Sequence, residues 1–455
     1  MGSVTVAPPG RPGPDSPGDE PMEPAAEVQP VADAEPVGPV ESATENATEA
    51  DAAAPEPVLL LAPRDGTPTP ITTAAELAEV AARFAAGTGP VAVDAERASG
   101  YRYTQRAYLV QLRREGAGTV MIDPLPLDEL SVLQAAIRDT EWVLHAASQD
   151  LPCLAELKLL PTRLFDTELA ARLCGFERVG LAALTESVLG YRLEKHHSAA
   201  DWSTRPLPPA WLTYAALDVE LLLELRELLG AELDKQGKAE WAAQEFAALA
   251  ASAGAPPRPR PDPWRRTSGI HRVRGARALS RVRALWQARD QIAARRDVSP
   301  GRVLADAAIV AAAESDPKDE RTLLQITGYN GRSVRRLAPV WLDALASARA
   351  LPESALPVTP PAEGPPPPHR WAERDPVAAG RLARCRAVIA ELSVNHRLPP
   401  ENILTPDSVR RLAWSPPRPP TPEAVTVVLR ALGARPWQTD LTAVRLSAAL
   451  APPAR

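Results

Sequence analysis

Proline partitions this chain more sharply than any other residue. Of 455 residues, 51 are proline, and because proline fixes φ and lacks a backbone N–H, dense clusters of it do not sit inside helices or central strands. Three clusters stand out: residues 1–57, which hold 12 prolines, then APPRPRPDP (255–263) and PVTPPAEGPPPPH (357–369). The leader mixes its prolines with Ala, Glu and Gly and shows no aromatic residue and no apolar periodicity. Nothing in it offsets the entropy of ordering, so residues 1–57 are expected to be disordered. The other two clusters read as stiff, extended linkers. Folded units are therefore expected at 58–250, 270–350 and 371–455, separated by linkers at 251–269 and 351–370.

Charge follows the same partition. The leader carries 12 acidic residues and one basic one, residues 58–257 carry 27 against 18, residues 258–349 carry 9 against 19, and the remainder 9 against 13. An acidic body followed by an arginine-rich portion suits divalent-cation chemistry upstream and a polyanion grip downstream. Cys153, Cys174 and Cys385 stand far apart with no CxxC spacing, which excludes a disulfide framework and a zinc site and fits a reducing cytoplasm. No run nears the 18 or so apolar residues of a membrane span, and no signal-peptide pattern opens the chain. A cytoplasmic location is expected.

In the first unit, GPVAVDAE (89–96), AYLVQLR (107–113), TVMIDP (119–124) and WVLHAA (142–147) are short β-rich runs. Helical patterns follow, including a leucine-rich helix expected from Pro209 to Gly230, opened by prolines and closed by glycine. Strands first and helices later predict an α/β unit, a mixed sheet covered by helices. The two C-terminal units hold no credible strand and repeat one another at an offset of 100: Val282 matches Leu382, Ile292 Leu392, Pro300 Pro400, Val303 Ile403 and Leu304 Leu404. They are expected to be two copies of one all-helical fold.

Three groups of acids lie in the first unit. Asp94 and Glu96 are two apart at the end of an apolar strand, so both carboxylates project from one face while Val91, Val93 and Ala95 face the core. Exposed strand-end acids would explain them equally simply, yet like charges this close destabilise each other unless a cation sits between them. Asp150 falls where a strand gives way to a helix beginning near Ser148, a position also favourable for an acid in a first turn. Tyr214 and Asp218, i and i+4 on the long helix, share a face. Asp218 lies between Leu217 and Val219 in an apolar stretch, where a lone buried carboxylate is costly unless paired or metal-bound.

Strand DxE, helix-start D and late-helix YxxxD together resemble the DEDD exonucleases of the Tyr subclass. LFDTELAARLCG (164–175), KHHSAADWSTRPLP (195–208) and WLTYAALDVELLLEL (211–225) are similar to the corresponding stretches of the ribonuclease D family, and the likeness covers about residues 70–230. RALWQARDQIAARRDVSPGRVLAD (283–306) resembles an HRDC domain, with a looser second copy. The resemblance implies a ribonuclease H-like mixed sheet followed by two HRDC-type helical domains. It implies a 3′→5′ exoribonuclease that releases nucleoside 5′-monophosphates, acting on tRNA tails or other structured RNA.

It further implies that Asp94, Glu96, Asp150 and Asp218 hold two divalent metal ions and that Tyr214 attends the attacking water. Mg²⁺ or Mn²⁺ suits an all-oxygen set. Arg97, directly after Glu96, departs from the aromatic or aliphatic residue of many relatives and bears on the shape of the terminal-nucleotide pocket. Around the site, His145 is a core histidine satisfied by backbone or a substrate contact, and Lys195, His196 and His197 with Arg205 are expected to form a partly cationic rim for phosphates or else a solvated loop. Trp202 stacks on a base or plugs the core edge. Arg281, Arg295, Arg296, Arg332, Arg335 and Arg336 belong to the basic surplus expected to contact RNA. A DNA exonuclease and a catalytically silent RNA-binding scaffold are the alternatives.

Overall fold

The structure is a computed structural model that describes residues 56–193, 199–256, 260–358 and 364–451. Most of the leader, Lys195, His196 and His197, and parts of both linkers lie outside the described residues.

In chain order the first unit runs β1 (Val58–Leu60), α1 (Ala74–Ala86), β2 (Thr88–Arg97), β3 (Ala107–Glu115), β4 (Gly118–Ile122), α2 (Ser131–Ile137), β5 (Glu141–Leu144), α3 (Leu151–Glu156), β6 (Arg163–Asp166), α4 (Thr167–Cys174), α5 (Leu181–Leu184), β7 (Tyr191–Leu193), α6 (Pro209–Glu220), α7 (Leu222–Lys235) and α8 (Ala239–Ser252). Five strands make one mixed sheet in the order β4-β3-β2-β5-β6, with β2–β3 and β3–β4 antiparallel and β2–β5 and β5–β6 parallel. This is the ribonuclease H-like arrangement. A separate parallel pair joins β1 to β7.

Alternation along β2 sorts its side chains. Val91, Val93 and Ala95 enter a core with Val80 and Phe84 of α1 and Leu133 of α2. On the other face Ala92 meets Val219, Leu222 and Leu225. That second face also carries Asp94 and Glu96, and α6 crosses it over β2, β3 and β4.

The expected helix at 209–230 is two helices. Leu221, with φ −108° and ψ 1°, breaks it, and α7 then runs through Gly230 to Lys235. A helical glycine costs about 1 kcal/mol, but Leu225, Leu229 and Leu233 carry one buried stripe past it, and burying each leucine is worth roughly 2 kcal/mol. Burial outweighs propensity. Strands β1, β6 and β7, of three or four residues each, escape a reading by alternation because they are too short to show a period.

The helical units comprise α9 (Ala276–Arg296), α10 (Pro300–Val303), α11 (Asp306–Ser315), α12 (Glu320–Leu324), α13 (Arg332–Arg335) and α14 (Ala338–Ala350), then α15 (Trp371–Arg374), α16 (Pro376–His396), α17 (Pro400–Ile403), α18 (Pro406–Trp414), α19 (Pro422–Ala431) and α20 (Pro436–Leu450). The offset of 100 holds in space: α9 and α16 end on left-handed caps at Asp297 and Arg397, and Arg281 Nε donates to the Ala313 carbonyl as Arg381 Nε does to Ala413. Trp264 is buried with Val282 and Trp341, so the first helical unit begins inside the residues expected to be linker. A buried tryptophan anchors that proline-rich stretch where composition suggested none.

Both copies dock on the first unit through the same corner, the end of the long helix. In the second copy, Lys238 Nζ donates to the His396 carbonyl at 2.7 Å, and a Cβ added at Gly175 would lie 2.6 Å from the Arg397 carbonyl. In the first copy, Asp297 takes hydrogen bonds from the loop that follows β2.

Candidate metal centre

Asp94 and Glu96 leave the same face of β2, and Asp218 descends from α6 above it. Each offers a carboxylate oxygen, and the three oxygens lie within 4.8 Å of one another. Burial pushes all three up, Asp94 to about 6, and the charges of neighbouring acids add to burial in holding Glu96 and Asp218 well above the ordinary carboxylate range. Such a cluster is unstable as three anions and is answered by a cation or by protons.

Asp150 stands outside that trio but within its field. It is buried, and it stands at the start of α3 without a side-chain capping hydrogen bond. Burial first, and then the Asp94 charge, push it up to about 8, against the pull of Arg97. Arg97 Nη2 lies 3.9 Å from its Oδ1. The approach to Asp150 is set by Asp166, whose carboxylate accepts from the amides of Ala146, Ala147, Glu168 and Leu169. It thereby caps α4 and pins the left-handed turn at Ala146. Sequence reading passed over Asp166; a D-T pair opening a helix after an apolar run was the available signal.

Tyr214 hydrogen-bonds Asp218, and burial together with the surrounding acids holds its hydroxyl firmly protonated. His145 Nδ1 is 2.9 Å from the Thr167 hydroxyl, whose proton goes to the Leu144 carbonyl. Burial lowers His145 to about 4, so it is neutral at physiological pH. Its partner is a side chain, where the sequence suggested backbone.

Three residues read as substrate contacts or nucleic-acid surface have structural occupations. Trp202 is fully buried, its ring 5.4 Å from Trp211 and 6.4 Å from Tyr214; it plugs the core and presents no face to a base. Arg205 forks onto Asp123 at 2.6 and 2.9 Å and also donates to the Tyr108 and Trp202 carbonyls. Arg281 is spent on the Ala313 carbonyl and Asp316. Burial next to available acceptors claims these groups, and sequence position alone does not reveal it. Arg295, Arg296, Arg332, Arg335 and Arg336 are exposed and, among the described residues, have no carboxylate partner.

A cavity of about 310 Å³ opens beside Glu96 and Arg97, walled by Ser99, Gly100 and Tyr101 on one side and Ala199 and Ala200 on the other. No helix among the described residues is long and apolar enough to cross a membrane.

Family models match three stretches: a 3′-5′ exonuclease at residues 68–234, an HRDC domain at 278–345 and a 3′ to 5′ exonuclease C-terminal domain at 364–450. The second helical copy thus matches a model of its own. The chain is 33% identical over 362 residues to ribonuclease D of Gluconacetobacter diazotrophicus, covering 77% of this chain and 88% of that one. A solved protein from Bifidobacterium adolescentis superposes with a TM-score of 0.80 at 39% identity, over 87% of this chain and all of that one. Escherichia coli RNase D, described as an exoribonuclease involved in structured RNA processing, superposes with a TM-score of 0.62 at 25% identity, over 84% and 98%.

Proposed function

The chain belongs to the ribonuclease D family of 3′→5′ exoribonucleases, and we propose that Asp94, Glu96, Asp150 and Asp218 are the acids with which it hydrolyses the terminal phosphodiester of RNA to release nucleoside 5′-monophosphates. One observation carries this assignment: three carboxylate oxygens within 4.8 Å, on a strand and a helix far apart in sequence, in surroundings that raise every one of their pKa values. Folding brings such groups together at a cost that protons relieve at low pH and a cationic ligand relieves near neutrality.

The donor set fits two hard divalent ions, Mg²⁺ or Mn²⁺, since it is entirely oxygen and contains neither thiolate nor imidazole. When bound, the ions supply a nucleophilic water near neutral pH and counter-charge for the departing 3′-oxygen. The chain's own residues set the rest. Tyr214, held protonated against Asp218, is a hydrogen-bond partner for the attacking water and not a base. Neutral His145 adds no charge beside the acids. The exposed arginines of the first helical unit hold the RNA body, the substrates being tRNA precursors or other structured RNA with 3′ tails. Three buried free thiols fit a reducing cytoplasm.

The test is a side-by-side digestion of end-labelled RNA and DNA of one sequence with Mg²⁺, Mn²⁺ or chelator. RNA is expected to shorten stepwise from its 3′ end with metal, to stay intact with chelator, and to stay intact with Asp94→Asn. Undiminished shortening by Asp94→Asn would overturn the assigned acids. Faster loss of DNA would move the substrate class.

A further inference from the structure

The loop that leaves the DxE strand is held by the first helical unit, the same unit whose exposed arginines face solvent. Directly after Glu96 and Arg97 the chain enters residues 98–104, and the first helical unit grasps that segment at four points. Arg302 Nε donates to the Gly100 carbonyl at 3.0 Å and its guanidinium lies 4.1 Å from the centre of the Tyr101 ring. The Ser299 amide donates to the Tyr101 carbonyl at 2.9 Å. Asp297 Oδ1 accepts from the Tyr103 amide, the Thr104 amide and the Thr104 hydroxyl at 3.2, 3.0 and 2.9 Å. The Tyr103 hydroxyl reaches Asp290 at 3.2 Å while its ring packs on the helical core.

The held segment is one wall of the cavity beside Glu96. On its other side, Arg102 Nε donates to the Ser203 hydroxyl at 2.7 Å, tying it to the loop that supplies Ala199 and Ala200. Without the helical unit, residues 98–104 keep two turn hydrogen bonds to the Ala98 carbonyl, the Arg102 link, short-range bonds with Gln105 and the packing of Ala98 and Tyr101 against Trp202, while Tyr103 and Thr104 lose every tie to a distant residue. The repeat shows that this is particular to the first copy. At the equivalent cap the second copy carries Arg397, which has no acceptor to offer two amides, and it docks on Gly175 and Lys238 instead.

We propose that the first helical unit is a structural wall of the exonuclease site: Asp297, Arg302 and Tyr103 are positioning residues that fix the 98–104 loop and so the shape of the cavity receiving the terminal nucleotide. The proposal rests on the exonuclease reading and extends it, because it gives the helical unit an effect on substrates too short to reach any basic surface. A displacement of about 1 Å at a reacting centre is enough to cost up to ~100-fold in rate.

The test uses the full chain on an RNA trinucleotide and on a long RNA with a 3′ tail. Asp297→Gly keeps the left-handed cap and removes the acceptor; Asp297→Asn restores an acceptor oxygen; Arg302→Leu alters an exposed residue and does not threaten folding. We expect Asp297→Gly and Arg302→Leu to lower kcat/KM on the trinucleotide by about 10-fold with thermal melts close to wild type, and Asp297→Asn to recover most of the loss. A folded Asp297→Gly or Arg302→Leu protein with wild-type trinucleotide kinetics would overturn the proposal, even if its long-RNA activity fell. A wild-type protein inactive on both substrates would instead sink the exonuclease reading beneath it.

Discussion

The Arg97 guanidinium lies 3.9 Å from the Asp150 carboxylate, so the acid standing apart from Asp94, Glu96 and Asp218 is faced by a cation that the chain itself supplies. Arg97 draws down the pKa of Asp94, Glu96 and Asp150 against burial, which makes it a partial counter-ion for those three acids. Arg97→Met is expected to tighten apparent Mg²⁺ or Mn²⁺ affinity by roughly tenfold, since one compensating charge a few ångströms away is removed in a medium of intermediate dielectric. Titration of activity, and of thermal stability, against metal concentration reads this directly. Weaker metal binding in Arg97→Met would mean that Arg97 orients an acid more than it neutralises one.

Metal and pH are linked through the same acids. Asp94 at about 6 and Asp150 at about 8 lie above the ordinary value of 3.8. The folded, metal-free protein therefore keeps protons that the unfolded chain releases. The stability contribution of these groups is fully present below about pH 4 and is lost as pH rises through 6 and 8. In chelator, Tm is expected to fall over that window, and Asp94→Asn to fall less steeply. Added Mg²⁺ should stabilise little near pH 5 and increasingly toward pH 8. A Mg²⁺-induced shift in Tm that is flat across the range would show that the acids do not bind the ion.

Tyr214 separates chemistry from packing. Its ring stands 6.4 Å from that of Trp202 and belongs to a core with Tyr108 and Met121, while its hydroxyl serves Asp218. Tyr214→Phe keeps the ring and deletes the hydroxyl. We expect kcat to fall by about 100-fold with KM and Tm nearly unchanged, measured on end-labelled RNA at saturating metal.

The exposed arginines of α9 and α13 predict a salt signature. Neutralising Arg332, Arg335 and Arg336 together should reduce the slope of log affinity against log salt by up to about 2, since each single-strand phosphate contact contributes roughly 0.7. Equilibrium binding of a tailed RNA to a catalytically inert Asp94→Asn background at several salt concentrations reads the slope. An unchanged slope would take these residues off the RNA path.

Legibility in the sequence followed periodicity. The alternation Val91, Val93, Ala95 against Asp94, Glu96 placed two acids on one face before any coordinates, and the i, i+4 spacing did the same for Tyr214 and Asp218. The repeat was readable because buried pairs such as Val303 and Ile403 recur in register. Hidden from that reading were features decided by partners distant in sequence. Asp166 is known as a pin only once Ala146 and Ala147 lie beside it. Trp264 and Leu221 are, respectively, a core anchor and a helix break only in the assembled packing. Asp297 becomes significant when the 98–104 loop arrives at the end of α9. Arginine was the least legible residue type, since an exposed phosphate contact and a fully engaged brace share one sequence appearance.

Arg205 makes that last point measurable. The sequence places it on a cationic rim, where its loss would raise KM and leave stability alone. In the structure it clamps buried Asp123 with two hydrogen bonds and ties the Tyr108 and Trp202 carbonyls together, so it joins β3, the turn after β4 and the loop ahead of α6. Truncation leaves Asp123 buried with its charge uncompensated, and breaking a pair of this kind costs about 3–5 kcal/mol when both partners are buried. Arg205 is partly exposed, which places Arg205→Ala near the lower end. Urea denaturation should show a loss of about 3 kcal/mol, with Asp123→Asn/Arg205→Leu recovering part of it because no charge is then stranded. A KM increase on RNA with an unchanged denaturation midpoint would return Arg205 to the substrate rim.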